Sequence, residues 1–451
     1  MNIVEYINAK IRKSDKRTQN VLKNTILSAG MKVASLICSL LIVPITIDYL
    51  SPENYGVWMA ITSILYWFAF MDVGLGNGMR NYMAEAISRE DYHSARSYFS
   101  TAVFLLSLIA LTIGVICIPL LYLVDLNFIF NTTNIPTIQL AHVLTIAISF
   151  SLFQFVAKNV GMVYVAMQKY AINDMIVFAG SFSSVIIVYI LTKTTASNLA
   201  YVVTAFTALP ALAFAIAAIP LIIKYPQLIP SINSIDFKSA RKIVTKGMGF
   251  FLIQITSCLV IFGSANVIIS HFCGPEEVTV YNVAYKLFHV LVVGYTIIIS
   301  PLWNAYTDAY AKQDYTWIRK AFRKSLLFWG GSVVCGLMML ALSGWFFERW
   351  IGNSVHIPLA VSACVLAYVC MLNFNNCVTY LINGLNKIRI QIITSVMTTL
   401  IYLIAVFIIK DRFGIIGISL SMVGAYIIMS IVHLYQCNLF IKNKAKGIWN
   451  K

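Results

Sequence analysis

Charged residues are scarce in this chain. Asp, Glu, Lys and Arg make up 11% of its 451 residues, whereas a soluble globular domain carries roughly 25%. Hydrophobic residues make up 59%, and the mean hydropathy is +0.80. The chain lacks the polar side chains that a water-facing surface needs, which excludes a soluble enzyme.

Motifs for metal, redox and nucleotide chemistry are also missing. The nine cysteines are scattered, nearly all in apolar segments, with no pair at zinc-site or redox-motif spacing. The six histidines form no H-E-x-x-H pattern, and there is no G-x-x-x-x-G-K-[ST] loop. The first twenty residues are basic and polar, so we expect no removable signal peptide there. We also expect no metal, no cofactor and no ATPase activity.

The sequence does contain many long apolar segments. A bilayer-spanning helix needs about 20 apolar residues, and twelve such segments follow one another along the whole chain. The sequence therefore predicts an all-α integral membrane protein of about twelve spans, which we number in chain order. They are 24–50, 54–79, 98–124, 138–167, 173–192, 199–223, 246–271, 279–306, 322–347, 357–384, 388–409 and 414–440.

The net charge of +16 is explained by topology, and nucleic acid is not expected as a partner. Most of the 33 Lys and Arg residues fall in every second loop, and the alternate loops hold only Lys193, Arg349, Lys410 and Arg412. Because basic residues accumulate on the cytoplasmic side, both termini are predicted to be cytoplasmic. The basic cluster at residues 10–17 is expected to contact anionic headgroups.

The two halves of the chain repeat each other. With a shift of 223 positions, Ser51-Pro52-Glu53 aligns with Gly274-Pro275-Glu276, and Asp91-Tyr92 with Asp314-Tyr315. Each half holds six spans, so the repeat is parallel and the substrate path is expected between the halves. We predict two six-helix lobes around a central cavity. The predicted segments are a cytoplasmic basic segment 1–23, a lobe 24–223, a cytoplasmic linker 224–245, a lobe 246–441 and a cytoplasmic tail 442–451.

Three lysines lie inside predicted spans: Lys32, Lys158 and Lys286. A lysine near the middle of a span costs about 2.5–3.5 kcal/mol on insertion scales, so it normally faces a cavity or a partner. The alternative is that each ammonium snorkels to the membrane interface. Because no Asp or Glu lies deep in the predicted spans, a cavity lined by these lysines would select an anionic passenger.

Polar residues at helical spacing accompany each lysine, which predicts a wet face. Ser28, Ser35 and Ser39 share the face of Lys32, and Ser151, Gln154 and Gly161 that of Lys158. Asn282, His289, Thr296 and Ser300 share the face of Lys286. The predicted substrate-binding residues are Lys32, Lys158, Lys286, His289 and Asn282.

The run from Asp72 to Asn81 holds three glycines and is predicted to close span 2. No strand precedes it, so its likeness to a dinucleotide fingerprint has no support. Two interpretations stay open: a plain helix end, or a flexible gate at the cytoplasmic mouth closed by ion pairs. The predicted gate residues are Asp72, Asn77, Arg80 and Glu85.

Span 10 carries Asn373, Asn376, Tyr380 and Asn383 on one face. Amides and an aromatic ring suit the hydroxyls and faces of sugars. Hydrogen bonding between helices is the slightly favoured alternative, because polar residues in membrane bundles commonly serve it.

Three segments carry a resemblance to Wzx-type O-antigen and polysaccharide flippases of the multidrug/oligosaccharidyl-lipid/polysaccharide exporter superfamily. They are Pro52-Glu53-Asn54-Tyr55-Gly56-Val57-Trp58, Phe70-Met71-Asp72-Val73-Gly74-Leu75-Gly76-Asn77-Gly78-Met79-Arg80-Asn81, and Phe237-Lys238-Ser239-Ala240-Arg241-Lys242-Ile243. Span number, repeat and loop positions extend the resemblance over nearly the whole chain. The general plan is shared with drug antiporters.

The resemblance implies a MATE-like fold in the bacterial inner membrane. It also implies alternating-access flipping of an undecaprenyl-diphosphate-linked oligosaccharide from the cytoplasmic to the periplasmic leaflet, coupled to an ion gradient. Family members use basic residues on helices 1 and 8, and Lys32 and Lys286 fall on those helices. Lys158 is included only because it is also a basic residue within a predicted span. A polymerase and a ligase of the same pathway are the implied protein partners, and the coupling ion is unassigned.

Two other functions are alternatives to flipping. A pathway enzyme would be expected to have a large outer loop, and the longest here have about a dozen residues. A cation-coupled multidrug or small-molecule antiporter of the same superfamily stays the alternative, although it would be expected to carry intramembrane acidic residues.

Overall fold

The structure, a computed structural model, describes residues 16–71, 75–237, 240 and 263–450. These residues are mostly helical, and no β-strand occurs among them. In the hydrocarbon of a bilayer no water is present to form hydrogen bonds with the backbone. The N–H and C=O groups of an apolar span are therefore satisfied within a helix. The predicted all-α class is confirmed.

The described residues form fourteen α-helices. In the first half they are α1 (Lys16–Leu50), α2 (Pro52–Phe70), α3 (Leu75–Ser88), α4 (Tyr92–Leu121), α5 (Leu126–Phe130), α6 (Thr137–Ala157), α7 (Asn159–Ala166), α8 (Tyr170–Thr194) and α9 (Leu199–Lys224). In the second half they are α10 (Ala265–Cys273), α11 (Pro275–Ala311), α12 (Tyr315–Ile351), α13 (Leu359–Gly384) and α14 (Arg389–Ile441). Short 3-10 helices occupy Pro226–Leu228, Ile232–Ser234 and Gly447–Asn450.

Ten described segments are long and apolar enough to cross a membrane, and each overlaps a predicted span. They are Ile26–Leu50, Tyr92–Leu121, Thr137–Ala166, Tyr170–Thr194, Leu199–Lys224, Pro275–Ala311, Tyr315–Ile351, Leu359–Gly384, Arg389–Ile409 and Arg412–Ile441. Predicted span 2 corresponds to α2 and the start of α3, and most of predicted span 7 lies outside the described residues. Spans 11 and 12 are merged in α14 across a kink at Gly414, whose φ is 50°.

Residue 79, the predicted end of span 2, lies within a helix. A helix begins at Leu75, inside the glycine-rich run, and continues to Ser88. Leu75, Met79 and Met83 recur every four residues and are almost fully buried. Packing of this apolar stripe outweighs the roughly 1 kcal/mol by which each helical glycine disfavours the helix relative to alanine.

The chain divides into two compact units. One contains the described residues of 1–45, 71–124 and 141–248, and the other those of 46–70, 125–140 and 249–451. The second unit therefore includes α2 and α5 together with the second half of the sequence. The boundaries of the two six-helix lobes and of the linker stay a prediction.

The repeat is visible in the backbone at its loops. Ser51 and its equivalent Gly274 both have positive φ, at 78° and 97°, immediately before a helix that begins with proline. Glu90 and Gln313 form a second equivalent pair, at 60° and 57°. L-residues other than glycine rarely adopt this conformation, so its recurrence at equivalent positions shows that the two halves share local geometry.

The same correspondence extends to helix caps. Asp91 accepts a hydrogen bond from the Ser94 backbone N–H at the start of α4, and Asp314 accepts one from the Trp317 N–H at the start of α12. Each carboxylate satisfies a backbone donor that the first turn leaves unpaired. The hydrogen bonds from Ser94 hold the pKa of the Asp91 carboxyl below its usual range.

One turn further, equivalent arginines bind backbone carbonyls near the end of each half. Arg96 donates to the carbonyl of Ile229 at 2.7 Å, and Arg319 donates to that of Ile441 at 3.2 Å. In each half, therefore, the third predicted span is tied to the chain at or just beyond the sixth.

Within the second unit, the repeat-related helices α2 and α11 pack directly on each other near their first turns. A Cβ added to Gly56 would lie 1.7 Å from the carbonyl oxygen of Pro275. Thr279, the repeat equivalent of Gly56, donates its hydroxyl to the carbonyl of Pro52 at 2.6 Å. The two helices thus meet through equivalent residues, and the glycine permits the close backbone approach.

Gly56→Ala is expected to lower the melting temperature of the purified protein, because the new methyl group would overlap the Pro275 backbone. Overpacking a well-packed site typically costs about 1–3 kcal/mol. Gly294→Ala on α11 is the matched control, since no atom lies within 4 Å of its added Cβ. Equal melting temperatures for Gly56→Ala and Gly294→Ala would contradict the close contact.

Candidate functional site

Lys32, on α1, lies beside a carboxylate. Its Nζ is 4.0 Å from Oδ2 of Asp174 in the second turn of α8. Ser28, one turn before Lys32, donates its hydroxyl to the same Oδ2, and the Asn173 amide lies 3.4 Å from Oδ1. The expectation that no acidic residue neutralises the intramembrane lysines is therefore wrong for Lys32. The carboxylate lies on a different helix from the lysine, so the sequence of either helix alone does not show the pair.

The ion pair leaves the lysine accessible. The Lys32 side chain is 55% exposed and that of Asp174 is 18% exposed. Exposed pairs of this kind contribute only about 0–1 kcal/mol, so an anion of higher charge can compete with Asp174 for the ammonium. The Lys32 ammonium thus lies beside a carboxylate, Asp174, that a more highly charged anion can replace.

Lys158 occupies the break between α6 and α7 and is half-buried. Its Nζ lies 4.9 Å from the ring centroid of Phe155, a cation–π contact. Gly161, predicted to share its wet face, is buried: a Cβ there would lie 2.1 Å from Oδ1 of Asn173. Gly161 therefore serves the packing of α7 on α8.

Asn282, on α11, is only 7% exposed. Its Nδ2 donates to Oδ1 of Asn266 at 2.8 Å and to the carbonyl of Val278 at 2.9 Å. Asn266 in turn donates to the carbonyl of Met59 at 3.2 Å, and Met59 is the repeat equivalent of Asn282. The Asn282 amide thus helps to join α2, α10 and α11, and its contact with substrate stays a prediction.

Lys286 and His289 are half-buried on α11, one turn apart. The His289 ring lies 5.2 Å from that of Tyr285, and Tyr285 lies 6.2 Å from Tyr368 on α13. Tyr281 extends the row one turn further, at 6.1 Å from Tyr285. A cation next to aromatic rings suits a ligand that joins an anionic group to sugar rings. The spacing of Tyr281, Tyr285 and His289 by four residues was the sequence signal for this row.

The predicted gate is only partly described. Asp72 and the side chain of Asn77 lie outside the described residues. Glu85 pairs with Arg89 at 2.7 Å, one turn along α3, and the Arg80 guanidinium donates to Oδ1 of Asn81 at 3.1 Å. Arg80 and Glu85 each have a local partner in this structure, and the gate with its ion pairs stays a prediction.

The Asn373 amide on α13 is 1% exposed and donates to the carbonyl of Leu291 on α11 at 3.3 Å. This contact fits the interpretation of the polar face of span 10 as hydrogen bonding between helices. Among the described residues, no group of three or more His, Cys, Asp or Glu side chains could hold a metal ion.

Comparison with known proteins places this geometry in a family. Residues 21–303 match the polysaccharide biosynthesis protein family, which is more than half of the chain. The chain belongs to this family. A Salmonella typhi protein provisionally named an O-antigen transporter is 21% identical over 425 residues, covering 91% of this chain and 94% of that protein. The predicted resemblance to Wzx-type flippases is confirmed.

Solved structures show the same fold. An inward-facing multidrug resistance MATE family transporter of the MOP superfamily superposes with a TM-score of 0.74 at 14% identity, covering 93% of this chain and 98% of the other. A MOP superfamily transporter from Pyrococcus furiosus, described as having a binding pocket of reversed polarity, gives a TM-score of 0.65 at 14% identity, covering 95% and 96%. The predicted MATE-like fold is confirmed.

Asn282→Ala is expected to lower the melting temperature of the purified protein, because Asn266 loses its side-chain partner. Leaving a buried polar group unsatisfied costs about 1–3 kcal/mol. Asn353→Ala, at an exposed position just after α12, is the matched control. Should Asn282→Ala melt at the wild-type temperature, the amide would not be holding these helices together.

Proposed function

We propose that the protein flips an undecaprenyl-diphosphate-linked oligosaccharide, such as an O-antigen unit, from the cytoplasmic to the periplasmic leaflet of the bacterial inner membrane. The observation that carries the proposal is the relationship, over nearly the whole chain, to a protein named for O-antigen transport. The fold supports a transporter, and the chemistry around the intramembrane lysines supports an anionic lipid-linked glycan.

Lys32 in the first unit and Lys286 in the second are each proposed to bind the diphosphate. Lys32 carries an exposed ammonium whose carboxylate partner is exchangeable. Lys286 lies one turn from His289, beside the aromatic row of α11. A diphosphate offers several acceptor oxygens and more negative charge than a carboxylate, so it can take over the ammonium groups. The tyrosine and histidine rings offer faces to the adjoining sugars.

Transport is tested in a strain that lacks the gene and accumulates the lipid-linked oligosaccharide in its inner leaflet. Wild-type protein should restore surface polysaccharide. The variant carrying both Lys32→Glu and Lys286→Glu should fail while it accumulates in the membrane normally. Lys193→Glu at the end of α8 is the matched control and should restore it. Restoration by the double variant would overturn the role of the lysines, and export of cationic dyes without any glycan defect would favour a drug antiporter.

Binding of undecaprenyl diphosphate to the detergent-purified protein gives a more direct measure of Lys32. Asp174→Asn is expected to bind up to about fivefold more tightly, because an exposed ion pair worth up to about 1 kcal/mol no longer competes for the ammonium. Lys32→Gln should bind more weakly and Lys193→Gln as the wild type does. Identical affinities for Asp174→Asn, Lys32→Gln and the wild type would contradict a phosphate site at Lys32.

A further inference from the structure

A polar cluster lies buried between α13 and the two halves of α14. At its centre is His433, which is 0% exposed. Its Nε2 lies 2.8 Å from Oγ1 of Thr394, and its Nδ1 lies 3.2 Å from Oδ1 of Asn375. A histidine in a membrane span is costly and usually serves a function.

The two contacts suit both protonation states of the imidazole. Oδ1 of Asn375 is an acceptor, so Nδ1 carries a proton in either state. In the neutral ring the Thr394 hydroxyl donates to Nε2. When Nε2 gains a proton it donates to Oγ1 instead, and the hydroxyl proton turns to the carbonyl of Ile390, which lies 2.9 Å from Oγ1. Rotation of one hydroxyl thus accommodates the added proton, and every hydrogen bond has a donor.

Neighbouring acceptors offset part of the cost that burial imposes on the charged ring. Oε1 of Gln436, Oε1 of Gln391 and Oγ of Ser430 are buried without a hydrogen-bond partner in the described part of the chain. Gln436 and Ser430 lie three residues from His433, and Gln391 lies three residues from Thr394, so they share helix faces with the cluster. Unpaired acceptors in a low dielectric stabilise a cation more than a neutral ring.

Two side chains contact the His433 ring directly, those of Thr394 and Asn375, and both are neutral. The surrounding elements also carry titratable and charged groups. They include Cys377 and Tyr380 on α13, Arg389 and Tyr402 on the first half of α14, Tyr435 and Cys437 on its second half, Arg319 and Arg323 on α12, and Lys446 before the C-terminal 3-10 helix.

The cluster is linked to the helix that carries Lys286. Asn375 contacts His433 on α14, and Asn373, two residues earlier on α13, donates to the Leu291 carbonyl on α11. Through these two contacts, α13 connects His433 to the helix that carries Lys286. We propose that His433 binds the proton whose movement drives transport, a proposal that rests on the function proposed above.

Protonation is tested first, without any substrate. The protein is labelled with ¹⁵N-histidine in lipid nanodiscs, and the signal missing from His433→Gln identifies this ring. The ring should change from the neutral to the doubly protonated form as the pH is lowered. Thr394→Val, which removes the hydroxyl at nearly constant volume, should shift this transition, whereas Thr394→Ser should keep it. A signal that stays in one form throughout would overturn the proposal.

Coupling is tested in proteoliposomes that contain a pH-sensitive dye, with undecaprenyl diphosphate added as the probe. Proton movement should fall to the level of protein-free vesicles in His433→Gln and Thr394→Val. It should persist in Thr394→Ser and in His142→Gln, a control at an exposed histidine of α6. Proton movement by His433→Gln at the wild-type rate would overturn the proposal. If the wild type binds no undecaprenyl diphosphate although His433 titrates, the proposed substrate is what fails.

Discussion

The absence of hydrogen-bonding partners in hydrocarbon is the constraint on which the rest of this structure depends. It requires helices, and it favours a partner on the protein for each polar side chain within a span. Ser184, for example, donates its hydroxyl within hydrogen-bonding distance of both Gly180 on its own helix and Ala205 on α9. Most hydroxyls in the spans are satisfied in this inexpensive way. Clusters of polar side chains that bond to each other, and not only to the backbone of their own or a neighbouring helix, therefore point to a function. The Lys32–Asp174 pair and the His433 cluster are two such clusters.

The repeat shows how one backbone plan carries two chemistries. Loops and caps are equivalent, as at Ser51 and Gly274 or Asp91 and Asp314. The side chains within the spans are not. Lys286 corresponds to Ser63, which is buried, and Asn282 corresponds to Met59, which contributes only its carbonyl to the shared hydrogen bonds. Local geometry at helix ends has few solutions, so it persists. Positions along a span can change as long as buried polarity is satisfied, which leaves them free to specialise.

What could be predicted from the sequence follows from the same distinction. The all-α class and the ten helices that overlap predicted spans depend on local composition, which a single sequence displays. The continuation of α3 past Asn81 depends on burial of Met79 and Met83, and the neutralisation of Lys32 depends on the packing of α8 against α1. Neither has a local signal. A single histidine in an apolar segment gives no local signal either. What marks His433 as a candidate is the pair of polar side chains, Thr394 and Asn375, on either side of its ring.

The position of Asp174 also bears on which passenger the protein can take. A transporter of cationic drugs needs a carboxylate that its ligand can reach. Here Ser28 and Lys32 both engage the same oxygen of Asp174, and the side chain is mostly buried. Lys32 is the exposed partner, so a ligand approaching this pair meets the ammonium first. To bind there, it must offer more negative charge than one carboxylate does, because its attraction to the Lys32 ammonium must exceed that of Asp174. A diphosphate meets that requirement and a cation does not, and the asymmetry in exposure between the two partners therefore favours an anionic lipid-linked substrate over a cationic drug.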